Sequence, residues 1–533
     1  MKTRISSAAL LFTATLLFAA SSFAQTVQFI GVGSTTGLNA FSLAAVKQLG
    51  ATHIWTAKGK ASSGGNFAQV VDQRSSSIPP NGGSIFIAWD DQSTPNVYTY
   101  LAVDSTIGVE ALLANPGGLL QVDSSAETTA GQNLIPYLGI SDASSVPATI
   151  YTAINNKLFN AALTAIRPED ALFATTRALA ALNATNYSGL GYTGSGGIGT
   201  AILSAFSTSS NTPVNFAVKG KDPISGLTIN PWISTNIGAV PVLIVVNNTD
   251  TASGGFGSLN ASSQPVFTNI NSQDLGNLFQ GVITRTRDIL PASKSSVSPV
   301  GVHVIQRDPL TGVFNTLEFD NVRDFANVTK SQEEGVNPAT NNPLNITTSN
   351  ADGSTATRQR AIGSSEEVKE LEAIEDSIGY AFFSYGDWST AGSKVRYLTV
   401  NGVDPLYASY AGGLLPTCSS TGCPGSVTFP HVADGSYPLW ATLEIVTTGK
   451  TVPPSVTAMV NAAIAESVNV PEFVPVSQLE VFRDHYTQSG IAGANGHKTT
   501  TESGGSMGGA IITVQTDYDY ITDHAKELVN ERQ

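Results

Sequence analysis

An arginine that closes an apolar, β-branched run and precedes a Thr-Gly pair by four residues is a combination that can hold an oxyanion. It occurs once in this chain of 533 residues, at Val304-Ile305-Gln306-Arg307-Asp308-Pro309-Leu310-Thr311-Gly312-Val313-Phe314-Asn315. The guanidinium offers a planar fork of donors and the Thr311 hydroxyl another. A helix opening at Gly312 would add backbone N–H groups at the positive end of its dipole. The plain alternative is a strand, turn and helix carrying a surface arginine, which any α/β protein contains.

Two further stretches have the spelling of catalytic motifs. Gly504-Gly505-Ser506-Met507-Gly508 fits the G-x-S-x-G nucleophile elbow, and a secreted serine hydrolase is the minor alternative that it raises. Its setting is Gly-rich, the β-branched Ala510-Ile511-Ile512-Thr513-Val514 follows where a helix is needed, and His524 is the single histidine downstream. Gly194-Ser195-Gly196-Gly197-Ile198-Gly199 fits G-x-G-x-x-G, yet no apolar strand precedes it, so an anion-binding helix start explains these glycines better than a dinucleotide site. The six histidines, His53, His303, His431, His485, His497 and His524, form no local cluster, and neither metal nor cofactor is expected. The expectation is a protein that is not an enzyme.

The segments that position these groups alternate between strand and helix patterns. Val27 to Gly31 predicts a strand leading through Ser34–Gly37 into a helix over Leu38–Leu49, and Val240 to Val246 is the continuous apolar run of a buried strand. Ser84 to Val103 reads as strands, Pro147 to Leu182 as Ala-rich helix, and the Asn-, Thr- and Ser-rich stretch from Lys330 to Arg360 as an exposed loop. Residues from about 50 to 185 read as an insertion. Trp55, Trp89 and Asp90-Asp91 within it suit core packing and exposed loop better than a cleft cover.

Residues 1–24 carry Lys2 and Arg4, an apolar run from Ala8 to Ala20, and Ser22-Phe23-Ala24 before Gln25, the pattern of a cleaved secretory signal. Periplasmic or secreted location follows, with no cysteine at the cleavage site to carry a lipid. No later stretch reaches the ~18 apolar residues of a membrane span. Loss of Lys2 and Arg4 takes the formal charge from −14 to −16, which argues against nucleic acid and anionic membranes as partners but leaves a small buried anion open. In an exported chain the loop pair Cys418 and Cys423 suits a small disulfide, with a free pair or an isolated metal site as the alternative.

A series of short matches, in order, resembles the phosphate-binding proteins of bacterial ABC importers, of the type II periplasmic binding protein family. Phe29-Ile30-Gly31-Val32-Gly33-Ser34-Thr35 is similar to that family's first strand and anion-binding turn, and Gly194-Ser195-Gly196-Gly197-Ile198 to its second Ser/Gly turn. Ile237 to Asn247 resembles the crossover strand, Leu275-Gly276-Asn277-Leu278-Phe279-Gln280-Gly281 the helix before the arginine segment, and Gly363-Ser364-Ser365-Glu366-Glu367-Val368 with Ser377-Ile378-Gly379-Tyr380 the next helix and strand. Tyr437-Pro438-Leu439 looks like the return strand.

The resemblance implies an α/β, two-lobed fold of periplasmic-binding-protein type II, with the inserted region in lobe 1. The lobes would be residues 25–240 (insertion about 50–185), 241–436, and 437–533 as the return to the first lobe with a C-terminal extension. It implies a solute-binding protein that captures an oxyanion, phosphate foremost, between the lobes for an ABC permease. A monomer is the expected state.

Matched position by position, the implied ligand set is Gly33, Ser34 and Thr35, Ser195 and Gly196, and Arg307, Thr311 and Gly312. For each hydroxyl, ordinary helix capping is the alternative. The family also uses an acidic residue that accepts a hydrogen bond from protonated phosphate. Asp222 suits its place after the Ser195 turn, and Asp170 is the competing position. Val313 and Gly194 stand where the family usually has Thr and Ser, and Lys219 or Lys221 adds charge. The alternative function is a secreted interaction or surface protein on the same fold with a degenerate pocket.

Overall fold

The computed structural model describes residues 25–58, 66–73, 80–166, 188–189, 192–193, 231–251, 254–290, 300–307, 311–317, 320–321, 346–361, 363–388, 394–419, 422–483 and 511–513. The chain is an α/β protein organised by one large mixed sheet. Thr26–Gly33 (β1) and His53–Ala57 (β2) belong to it. Ala68–Val71 (β3) and Asn81–Gly82 (β4) pair instead with Leu119–Val122 (β7) and Lys157–Leu158 (β8) in a small separate sheet. Ser84–Trp89 (β5), Asn96–Ala102 (β6) and Ala161–Thr164 (β9) return to the large one. Ser188–Gly189 (β10) and Tyr192–Thr193 (β11) pair with each other.

The second half of the chain supplies Trp232–Asn247 (β12), Asn269–Ile270 (β13), His303–Arg307 (β14), Ile346–Ser349 (β15), Thr355–Ala361 (β16), Ser377–Phe382 (β17), Val395–Val400 (β18), Trp440–Thr448 (β19) and Val474–Pro475 (β20). The large sheet runs β15-β16-β14-β17-β12-β19-β9-β1-β6-β5-β2. The α-helices of more than four residues among the described residues are Gly37–Leu43 (α1), Ser105–Leu113 (α2), Ala148–Ile154 (α3), Ser272–Phe279 (α4), Gly312–Leu317 (α5), Ser364–Ala373 (α6) and Pro454–Glu466 (α7).

Strand β12 joins the two halves. It pairs antiparallel with β19 from Trp232 to Pro241, then with β17 from Val242 to Val246. Pro241 has no N–H to donate, and it falls where the ladder changes partner, a position at which a proline costs a central strand least. The run from Ile237 through Val246 is buried because neighbours cover both of its faces, so it shows no period-2 alternation.

Several elements differ from the sequence expectation. Four strands from the stretch read as an insertion, β2, β5, β6 and β9, are members of the large sheet, and the small sheet of β3, β4, β7 and β8 is what lies beside it. Ala161-Ala162-Leu163-Thr164 reads as helix by propensity, yet it is a fully buried strand between β1 and β19, where tertiary packing overrides a weak local preference. Helix α3 is the part of Pro147–Leu182 that is helical among the described residues. Of the stretch from Lys330 to Arg360 expected as loop, residues 330–345 lie outside the described residues and 346–360 belong to the hairpin β15–β16, with a turn at Asp352-Gly353 where Gly353 has φ +87°. Trp55 is fully buried against Phe67, and Trp89 stacks on His53.

The end of β1 tolerates no side chain. Gly33 has φ +126°, and a Cβ there would stand 2.2 Å from the Leu163 carbonyl oxygen of β9. The same carbonyl accepts the Ser34 N–H at 2.8 Å, so it cannot move away without breaking the link that sets the turn. Gly33→Ala is therefore expected to lower the urea unfolding free energy by roughly 2–3 kcal/mol, from left-handed strain plus the clash. An unchanged midpoint would show that the turn relaxes at no cost.

Candidate functional site

Parallel pairing aligns the carboxyl ends of the strands in each half-sheet. In the first half Gly33 of β1 lies opposite Ala102 of β6 and Leu163 of β9. In the second half Arg307 of β14 lies opposite Ala361 of β16. The turns that leave these ends lead into α1, α2, α5 and α6, and they meet. A Cβ on Gly312, at the start of α5, would stand 2.6 Å from Ser105 Oγ and 3.0 Å from Ala165 Cβ, so the second half reaches the first at the start of α2 and the end of β9. Crevices outside the carboxyl ends of an open α/β sheet are where such folds bind ligands.

Arg307 is the centre of this meeting point. Its side chain is only 2% exposed, and Nη1 donates to Ser364 Oγ at 2.8 Å. The same nitrogen lies 3.7 Å from Glu367 Oε2, while Nη2 lies 3.8 Å from Asp104 Oδ1. Ser364 and Glu367 come from α6 in its own half. Asp104 comes from the other half, as the residue that begins α2. Its side chain does not cap that helix, and its carbonyl accepts the Gly108 N–H at 2.9 Å. Two carboxylates therefore stand against one guanidinium in a region shielded from water, where such pairs are weakly screened.

The hydroxyls divide between structural and available roles. Ser34 is buried, its N–H donates to Leu163 O, and its Oγ lies 3.0 Å from Thr36 Oγ1. The Ser34 carbonyl accepts the Tyr100 hydroxyl at 2.6 Å, which pins the turn against β6. Burial pushes the Tyr100 phenol well above its ordinary range, so this donor is not lost by ionisation. Thr35 is half-buried. Thr311 Oγ1 accepts the Phe314 N–H at 3.1 Å and so caps α5, which was the plain alternative for this residue; its O–H remains able to donate. Ser105 Oγ accepts the Ala165 N–H at 3.2 Å.

Six positions of the expected ligand set, Gly33, Ser34, Thr35, Arg307, Thr311 and Gly312, thus lie on turns that converge from both halves. Ser195, Gly196 and Asp222, with the competing Asp170, lie outside the described residues, as does Ser506. Sequence reading missed Asp104, Ser105, Ser364 and Glu367. Asp104 had a legible signal, since Val97–Val103 is an apolar run that ends in Asp-Ser, a strand followed by a helix-starting pair. Ser364 and Glu367 sit in a stretch whose sequence signal is its helix pattern, with nothing local to mark their chemistry. Away from the site, a disulfide joins Cys418 and Cys423 in the loop between β18 and β19. Among the described residues no helix is long and apolar enough to cross a membrane.

No protein-family model matches the chain, and no curated protein matches it. Among solved structures, distant likenesses are found to a phosphate-binding protein from Stenotrophomonas maltophilia (12% identity, 86% of this chain and 92% of that one, TM-score 0.34). PstS from Borrelia burgdorferi is similar at 12% identity over 82% of this chain and 92% of that one, with a TM-score of 0.30. A putative phosphate ABC transporter substrate-binding protein with bound phosphate from Clostridium perfringens is similar at 13% identity over 50% of this chain and 77% of that one, with a TM-score of 0.29.

Proposed function

We propose that this chain is an exported solute-binding protein that captures an inorganic oxyanion, phosphate foremost, where the two half-sheets meet. One observation carries the reading: a buried arginine of the second half faces a carboxylate of the first across converging strand ends. Ser34, Thr35 and the Gly33 backbone, with Arg307, Thr311 and Gly312, are the proposed donors, and Ser195 with Gly196 the proposed additions. Asp104 is proposed as the acceptor, and Asp222, outside the described residues, is the other candidate for that role. A protonated oxyanion donates a hydrogen bond to Asp104, whereas sulfate has no proton to donate and faces an unmatched carboxylate.

Function follows from differential binding. Each half contributes part of the donor set, so the anion binds the closed arrangement better than an open one and shifts the population toward closure. The closed form is what an ABC permease would recognise. Residues 1–24 act, in this reading, as the signal that sends the protein to the periplasm.

The test is calorimetric titration of residues 25–533, stripped of ligand, with phosphate and then sulfate at neutral pH. Tight phosphate binding without sulfate binding is the expected result. No heat from either, in a folded sample, would overturn the reading and favour the interaction-protein alternative on the same fold. One observation favours that alternative: Arg307 already has carboxylates on two sides.

A further inference from the structure

Among the described site carboxylates Glu367 alone has no solvent exposure, and its surroundings are built around it. Its Oε1 accepts the Tyr380 N–H of β17 at 2.8 Å. The neighbouring residue is Gly379, where a Cβ would stand 2.9 Å from that same oxygen and 3.3 Å from the Ile305 carbonyl, so the absent side chain makes room for the carboxylate. Its other oxygen lies 3.7 Å from Arg307 Nη1. Burying a carboxylate is costly unless it is hydrogen-bonded and paired, and here both conditions are met by two adjacent strands.

We infer that Glu367 is a positioning residue for Arg307 that also sets the charge of the anion the site accepts, a step that rests on the oxyanion reading above. The positioning follows from which edge of the guanidinium is engaged. Ser364 and Glu367 hold Nη1 from within the second half, and this turns Nη2 toward Asp104 and the first half. Among the described residues one guanidinium stands against two carboxylates, so Glu367 offsets part of the charge that Arg307 would offer an anion. A dianion adds two more charges where screening is weak, while a singly charged, protonated oxyanion adds one and donates to Asp104.

The experiment compares phosphate and sulfate affinities of the full mature chain with those of Glu367→Gln and Ser364→Ala, by calorimetry at one neutral pH. Gln keeps the acceptor for the Tyr380 N–H and removes the charge, so E367Q should shift the affinity ratio toward sulfate by about tenfold or more. S364A loosens Nη1 without changing charge, so it should weaken both anions alike and leave the ratio unchanged. A merely structural role for Glu367 would make E367Q behave as S364A does, and a ratio within about twofold of the parent overturns the inference. If neither anion binds the parent chain, the oxyanion reading fails and this inference fails with it. If E367Q does not fold, Glu367→Asp keeps the charge and should preserve the ratio; a shift toward sulfate in E367D would overturn the charge argument.

Discussion

Arg307→Ala is expected to abolish measurable oxyanion binding and to destabilise the protein by about 3–5 kcal/mol. The first effect is the loss of the only described side chain at the site that brings positive charge. The second arises because Glu367 and Asp104 stay buried where Arg307 stood, and a buried carboxylate stripped of its partner costs more than the pair contributes. Urea denaturation and calorimetric titration on the same preparation separate the two effects. Arg307→Lys should recover part of the stability and little of the binding, because an ammonium restores the charge but not the fork that spans α6 and α2. Pairing Arg307→Met with Glu367→Leu should recover stability with no binding. If R307A unfolds at the same urea concentration as the parent, the guanidinium is not the centre of a buried network and the site description fails.

Raising the pH from 5 to 8 is expected to destabilise the protein through Asp376. This residue lies just ahead of β17 with φ +54°, and its carboxylate accepts the Phe256 N–H at 2.7 Å. Burial, and after it the charges of Asp250 and Glu375, pushes its pKa up to about 7, well above the ordinary carboxylate range. Below about pH 4 the group is protonated folded and unfolded alike. Between about 4 and 7 the native state keeps a proton that the unfolded chain releases, so stability falls as pH rises and levels off above 7.

The expected loss is on the order of 2 kcal/mol. Glu370 of α6, raised to about 7 by burial and then by Glu366, adds to the same slope. Asp376→Asn keeps an acceptor for Phe256, suits the positive φ, and should gain stability relative to the parent at pH 8 but not at pH 5. Denaturation curves for both proteins at pH 5, 6, 7 and 8 decide it. Parallel curves across the range would remove Asp376 as the source.

What was legible in the sequence is what short-range pattern encodes. The run through Val240–Val246, the strand and turn at Phe29–Thr35, and the arginine segment with its Thr-Gly helix start are all formed by residues adjacent in the chain. What was not legible depends on pairing at a distance. Ala161–Thr164 has the composition of a helix and becomes a strand only because β1 and β19 flank it. Residues 53–102 read as an insertion because nothing local shows that Asn96–Ala102 lies parallel beside Thr26–Gly33. The same blindness hid Asp104: its role comes from an arginine some two hundred positions away, not from its neighbours.

The place of β19 bears on the order in which the molecule is made. It lies between β12 and β9, with Trp232 paired to Thr448 and Thr164 to Glu444. During synthesis, which runs from the N-terminus, both flanking strands leave the ribosome long before the strand that fills the gap between them. Until residue 448 is in place the nascent chain carries two unzipped edges, the feature that exposes β proteins to aggregation and makes distant pairings slow to form. Arg307 and Asp104, which lie on opposite sides of that gap in the strand order, come into register only when it is filled.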